Sequence, residues 1–89
     1  MVRVQYLPSF ARQYKKLPKE VRLLAEKRVL MFRANPFDSR LKTHKLGGQL
    51  EHFLAFSINY SIRIIFDFAE DSKGRFVRFY QIGSHDIYD

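Results

Sequence analysis

The chain has 89 residues and no cysteine, with 46% hydrophobic and 16% aromatic residues and a formal net charge of +7. That length makes one domain, residues 1–89, burying about 60–65% of its unfolded surface. Disulfides and thiolate metal sites are excluded, and no apolar run approaches the roughly 20 residues that span a bilayer.

The charge is unevenly placed. Residues 1–45 carry twelve Lys/Arg against three Asp/Glu (+9), and residues 46–89 carry four against six (−2). Such asymmetry points to a polyanionic partner met by the first half, the alternative being a solvated basic helix face.

Residues 2–7 are rich in β-branched and aromatic side chains and predict a strand, not the apolar core of a secretion signal. The absence of cysteine fits a reducing cytoplasm, which is the expected location. Pro8 ends that strand, and Ser9 is expected to cap a helix over residues 10–17. Phe10, Tyr14 and Leu17 share one face of it. Leu17-Pro18 breaks it, and a longer helix follows over residues 19–34. Its apolar stripe is Val21, Leu24, Ala25, Val29 and Phe32, with its basic residues mostly facing water. Asn35-Pro36 stops it, and residues 37–51 read as a loop.

Three strands are expected next. Residues 52–58 place Leu54, Phe56 and Ile58 on one side, and Asn59-Tyr60 turns the chain. Residues 61–68 set Ile62, Ile64, Phe66 and Phe68 toward the helices and Ser61, Arg63, Ile65 and Asp67 on the other face. Residues 70–74 form a polar hairpin loop. Residues 76–82 make the last strand, apolar on both sides, so that its faces cannot be assigned. The order β-α-α-β-β-β is an α+β fold, with a helical hairpin on one face of a largely antiparallel sheet.

Arg63 is the sharpest single position. An arginine among apolar strand residues, turned from the helices, offers a fixed, permanently charged fork for phosphate. The alternative is an ion pair with Asp67 on the same face. Arg40, Lys42, His44 and Lys45 crowd one loop and suit a phosphodiester backbone, or else a solvated loop. His85 follows Gly83 just past the last strand. Histidine, with an ordinary pKa of about 6.5, can act as acid or base there, or simply lie at the surface. Tyr88 can stack on a base or anchor the tail. His44, His52 and His85 match no ligand spacing, so no metal or other cofactor is expected.

The ordered set Phe10, Tyr14-Lys15-Lys16-Leu17-Pro18, Asn35-Pro36, Arg40-Leu41-Lys42-Thr43-His44-Lys45-Leu46, Gly48, Phe56-Ser57-Ile58-Asn59-Tyr60, Ile62-Arg63-Ile64-Ile65-Phe66 and Ile82-Gly83-Ser84-His85-Asp86 resembles the RelE/ParE superfamily of toxins. It is most similar to the RelE/StbE-type or YafQ-like messenger-RNA interferases. The resemblance covers almost the whole chain. It implies a toxin of a type II toxin–antitoxin system: a ribosome-dependent endoribonuclease that cleaves mRNA without metal, by attack of the substrate's own 2′-hydroxyl. It implies His85 as acid or base, Arg63 as phosphate clamp, and His44 as a second proton-transfer group. Arg40, Lys42 and Lys45 would hold RNA, and Tyr88 would orient a base. An antitoxin with an acidic, partly disordered segment is the implied protein partner. Ile62 stands where relatives often carry an aromatic residue. Two other readings remain open: a ParE-like inhibitor of DNA gyrase, and a non-catalytic RNA- or ribosome-binding module.

Overall fold

A computed structural model describes residues 1–84. Two helices cover one face of a five-stranded mixed sheet of order β1-β5-β4-β3-β2. The strands are β1 (Val4–Tyr6), β2 (His44–Lys45), β3 (Leu54–Ser57), β4 (Arg63–Asp71) and β5 (Gly74–Gly83). The helices are α1 (Pro8–Lys15) and α2 (Lys19–Ala34). All neighbouring strands are antiparallel except β1 and β5, which run parallel. No helix of the described residues is long and apolar enough to cross a membrane.

Proline sets the helix boundaries. Pro8 occupies the first turn of α1, where its missing N–H costs nothing and its fixed φ suits the helix. The cap position is Leu7, two residues before the expected Ser9. Ser9 lies inside the helix, and its hydroxyl donates instead to the Tyr80 carbonyl at 2.7 Å, tying α1 to β5. Pro18 opens α2, and Asn35, extended ahead of Pro36, closes it.

The core centres on Phe32, fully buried on α2. Its ring stacks on Phe56 of β3 at 4.4 Å and meets Phe66 of β4 at 4.8 Å and Phe79 of β5 at 5.4 Å. Such ring pairs add about 0.5–1.5 kcal/mol each beyond the area they bury. Phe10 brings α1 onto the same cluster, 5.4 Å from Phe79.

Three differences from the sequence reading have local causes. The 37–51 connection contains β2 and two short 3-10 turns, Ser39–Leu41 and Gly48–Leu50. Two residues are too few to show alternation. The 70–74 loop is a tight hairpin: β4 runs on to Asp71, which pairs with Gly74. Gly74 sits at φ 108°, where a side chain would be strained. The unassignable faces of β5 trace to a bulge. Ile65 pairs with Gln81 but Phe66 pairs with Phe79, leaving Tyr80 without a partner on β4. Val77 and Phe79 therefore share the core with Ile82, three residues on instead of two.

Candidate functional site

The β3–β4 turn, the first 3-10 turn and the middle of α2 enclose a cleft of about 330 Å³. Arg28, Arg40, Lys42 and Arg63 line it together with Ser57, Ile58, Asn59 and Tyr60. None of these is acidic. Four positive charges around one concavity create a positive potential that attracts anions such as phosphate oxygens.

Each cation is held differently. Arg63 begins β4, opposite Ser57 on one side and Gly83 on the other. Its Nη1 donates to the Asn59 carbonyl at 2.9 Å and the Tyr60 carbonyl at 3.1 Å. The expected alternative, an ion pair with Asp67, does not form. Asp67 is taken by Arg78, whose Nε and Nη2 donate to it at 2.9 and 2.7 Å, and by the Tyr80 hydroxyl at 3.1 Å. Burial and the Asp67 charge both push the Tyr80 hydroxyl pKa up. Among the described residues no carboxylate pairs with Arg63.

Arg40 is bound to Asp38: Nη2 and Nε donate to its carboxylate at 2.7 and 3.0 Å. Asp38 also accepts the Arg40 backbone N–H at 2.9 Å, capping the 3-10 turn. These bonds, the side-chain one foremost, lower the Asp38 pKa to about 2. Arg28 reaches across from α2 and donates to the Arg40 carbonyl at 3.2 Å. Lys42 is the one non-glycine residue among those described with a left-handed backbone, φ 55°. That conformation turns the chain from the buried anchor Leu41 into β2 and leaves the Lys42 side chain exposed.

His44 pairs with Ala55, which pairs with Ile65, so strand alternation puts His44 on the Ser57–Arg63 face of the sheet. Two strands and two residues separate it from Arg63, roughly 12 Å between Cα atoms at standard spacings. It does not line the cleft. Its Nδ1–H donates to the Lys42 carbonyl at 2.9 Å. Because a carbonyl only accepts, the neutral ring keeps Nε2 free to take a proton. Lys45 is exposed on the same edge strand and alternates to the opposite face. The structure thus gathers Arg40, Lys42 and Arg63 and leaves His44 and Lys45 outside the cleft. His85 and Tyr88 lie outside the described residues. The described residues gather no group of three metal-ligating side chains.

Sequence reasoning missed Arg28 and Tyr60. Arg28 was counted with the solvated face of α2, and only the fold brings the 3-10 turn to it. Tyr60 was passed over as a turn residue. An aromatic ring at the tip of a two-residue turn, with no room to be buried, was the available signal.

A larger concavity of about 510 Å³ lies between the two helices and β1, lined by Tyr6, Phe10, Tyr14, Val29 and Leu30 among others. It is mainly apolar, and its two cations, Lys15 and Arg33, share it with the carboxylate of Glu26.

No protein-family model matches this sequence, nor does any curated protein. Solved structures do match in fold. A YoeB/ParE toxin from Agrobacterium tumefaciens gives a TM-score of 0.76 at 13% identity, over 94% of this chain and 99% of that one. YafQ in the DinJ–YafQ toxin–antitoxin complex of E. coli gives 0.73 at 14% identity, over 97% of this chain and 94% of that one. The toxin–antitoxin complex RelBE2 from Mycobacterium tuberculosis gives 0.64 at 15% identity, over 94% and 98%. At these identities the likeness is one of fold, and the fold is that of the RelE/ParE-type toxins.

Proposed function

We propose, from a fold shared with toxins of type II toxin–antitoxin systems, that this chain is such a toxin and cuts messenger RNA on the ribosome. The observation that carries the proposal is the cleft at the start of β4, which no carboxylate of the described residues lines, Asp38 reaching it only through its pair with Arg40. There Arg63 stands with Arg28, Arg40 and Lys42, and Gly83 lies opposite Arg63.

In this reading the substrate supplies its own nucleophile. The 2′-hydroxyl attacks the adjacent phosphorus, the bond to the 5′-oxygen breaks, and a 2′,3′-cyclic phosphate is left. The two proton transfers, off the 2′-oxygen and onto the leaving 5′-oxygen, fall to His85 and His44. Arg63 and Lys42 stabilise the extra charge on the phosphorane, which binds them more tightly than the ground-state diester does. Arg40 and Lys45 hold flanking phosphates, and Tyr88 orients a base. An antitoxin with an acidic segment would silence the basic surface by charge complementarity.

The test is primer extension on ribosome-bound message. His85→Ala is expected to cut cleavage by roughly 10²–10⁴ while leaving ribosome binding nearly intact. Arg63→Ala is expected to lower both, and Arg63→Lys to restore little, because a point charge cannot copy the fork. Wild-type cutting by a folded His85→Ala variant would remove His85 from the mechanism.

A further inference from the structure

Tyr60 is 96% exposed, the most exposed ring among the large hydrophobic side chains of the described residues. It enters none of the aromatic pairs among them. Yet the backbone beneath it is tightly fixed. The Asn59 side chain accepts the N–H groups of Ser61 at 2.9 Å and Ile62 at 2.7 Å. Arg63 clasps the carbonyls of Asn59 and Tyr60 from below, and the Ile58 N–H donates to the Ile62 carbonyl at 2.8 Å. An apolar ring is thus presented to water on a rigid turn. It stands at the lip of a cleft that carries Arg28, Arg40 and Lys42.

We infer that Tyr60 is a nucleobase-stacking platform, and that the cleft beside it takes the phosphate attached to that base. The ligand class is single-stranded nucleic acid, which repeats a flat base face and a phosphate one sugar away along its length. The ring's immediate neighbours favour this over a protein partner. Ser61 is exposed and polar, Asn59 is polar, and the cleft wall is cationic, so among the described residues no apolar rim surrounds the ring as in a protein hot spot. Stacking uses the π-face that every base has, so the subsite tolerates any base and favours purines by their larger overlap. The inference rests on the RNA-cleavage reading for its substrate but needs no catalysis.

The chain has no tryptophan, so Tyr60→Trp creates a unique fluorophore at the lip of the cleft. The probe is a 2′-O-methyl RNA octamer, which cannot supply the attacking hydroxyl, compared with an abasic octamer of equal charge. The expected result is strong quenching by the octamer and none by the abasic chain. Tyr60→Ala should weaken octamer binding by about 5- to 150-fold and Tyr60→Phe by no more than about 2-fold. Abasic binding should not change in either variant. Equal quenching by both oligomers, equal binding by Tyr60→Ala, no binding of either oligomer, or quenching only by an acidic protein partner would each overturn the subsite. Cleavage of ribosome-bound message that persists unaltered in Tyr60→Ala would remove the subsite and leave the cleavage proposal standing. Octamer quenching in a protein that never cuts message would do the reverse.

Discussion

Arg40 enters the cleft with its fork already occupied. Asp38 stays ionised because Arg40 holds its pKa near 2, below the ordinary 3.8. A carboxyl depressed on folding contributes stability above its unfolded pKa and loses it as pH falls through the folded one. The Asp38–Arg40 pair is therefore fully formed above about pH 4 and lost toward pH 2. It is exposed, so its weight in stability is small. In the proposed RNA complex its weight is larger, because at neutral pH a phosphate would compete with Asp38 for the same donors. Asp38→Asn keeps the oxygen that caps the turn and removes the competing charge. It is expected to tighten RNA binding and to steepen the plot of log K against log salt by about 0.7, the value for one added phosphate contact on a single strand. A salt titration by fluorescence anisotropy checks it. An unchanged slope would mean that Arg40 does not reach phosphate.

Between the first 3-10 turn and β2, one residue both bends the chain and carries charge. The left-handed Lys42 costs about 1–2 kcal/mol, and glycine would relieve that strain while losing about 0.5–1 kcal/mol to unfolded-chain entropy. Lys42→Gly is expected to leave the melting temperature within a few degrees and to flatten the salt dependence of RNA binding by about 0.7. A fall in both would make Lys42 a structural residue. Elements with strong periodicity or proline punctuation were legible in the sequence: α1, α2, β3 and the faces of β4. The faces of β5 were not, because the bulge at Tyr80 breaks the period of two on which face assignment depends. The two-residue β2 carries no periodic signal at all. Arg63 was legible as a lone charge in an apolar strand, but whether it would pair with Asp67 was not. That depended on Arg78, which reaches Asp67 from a neighbouring strand with a shorter, two-pronged contact. The cleft itself is a product of tertiary packing. Arg28, Arg40 and Arg63 come from three elements far apart in the chain, and no local pattern joins them.

At the scale of the molecule, Phe32 fastens the helical layer to three strands at once. Phe32→Ala is expected to cost about 3–5 kcal/mol, a large share of the roughly 5–15 kcal/mol that holds a small domain together. Far- and near-ultraviolet circular dichroism should then lose their signals in one coincident transition at a lower temperature. Separate transitions would mean that the sheet holds without the helices. The strand order has a different consequence, for the timing of folding. β5, the last strand made, lies between β1, the first, and β4, and it receives the side chains of α1. β1 cannot complete its pairing until β5 exists, Val4 facing Val77 across the sheet. Pairings of this span are slow to close, because the loop entropy precedes any reward. A nascent chain therefore holds its four cleft cations without the partner strand that sets Arg63 in place.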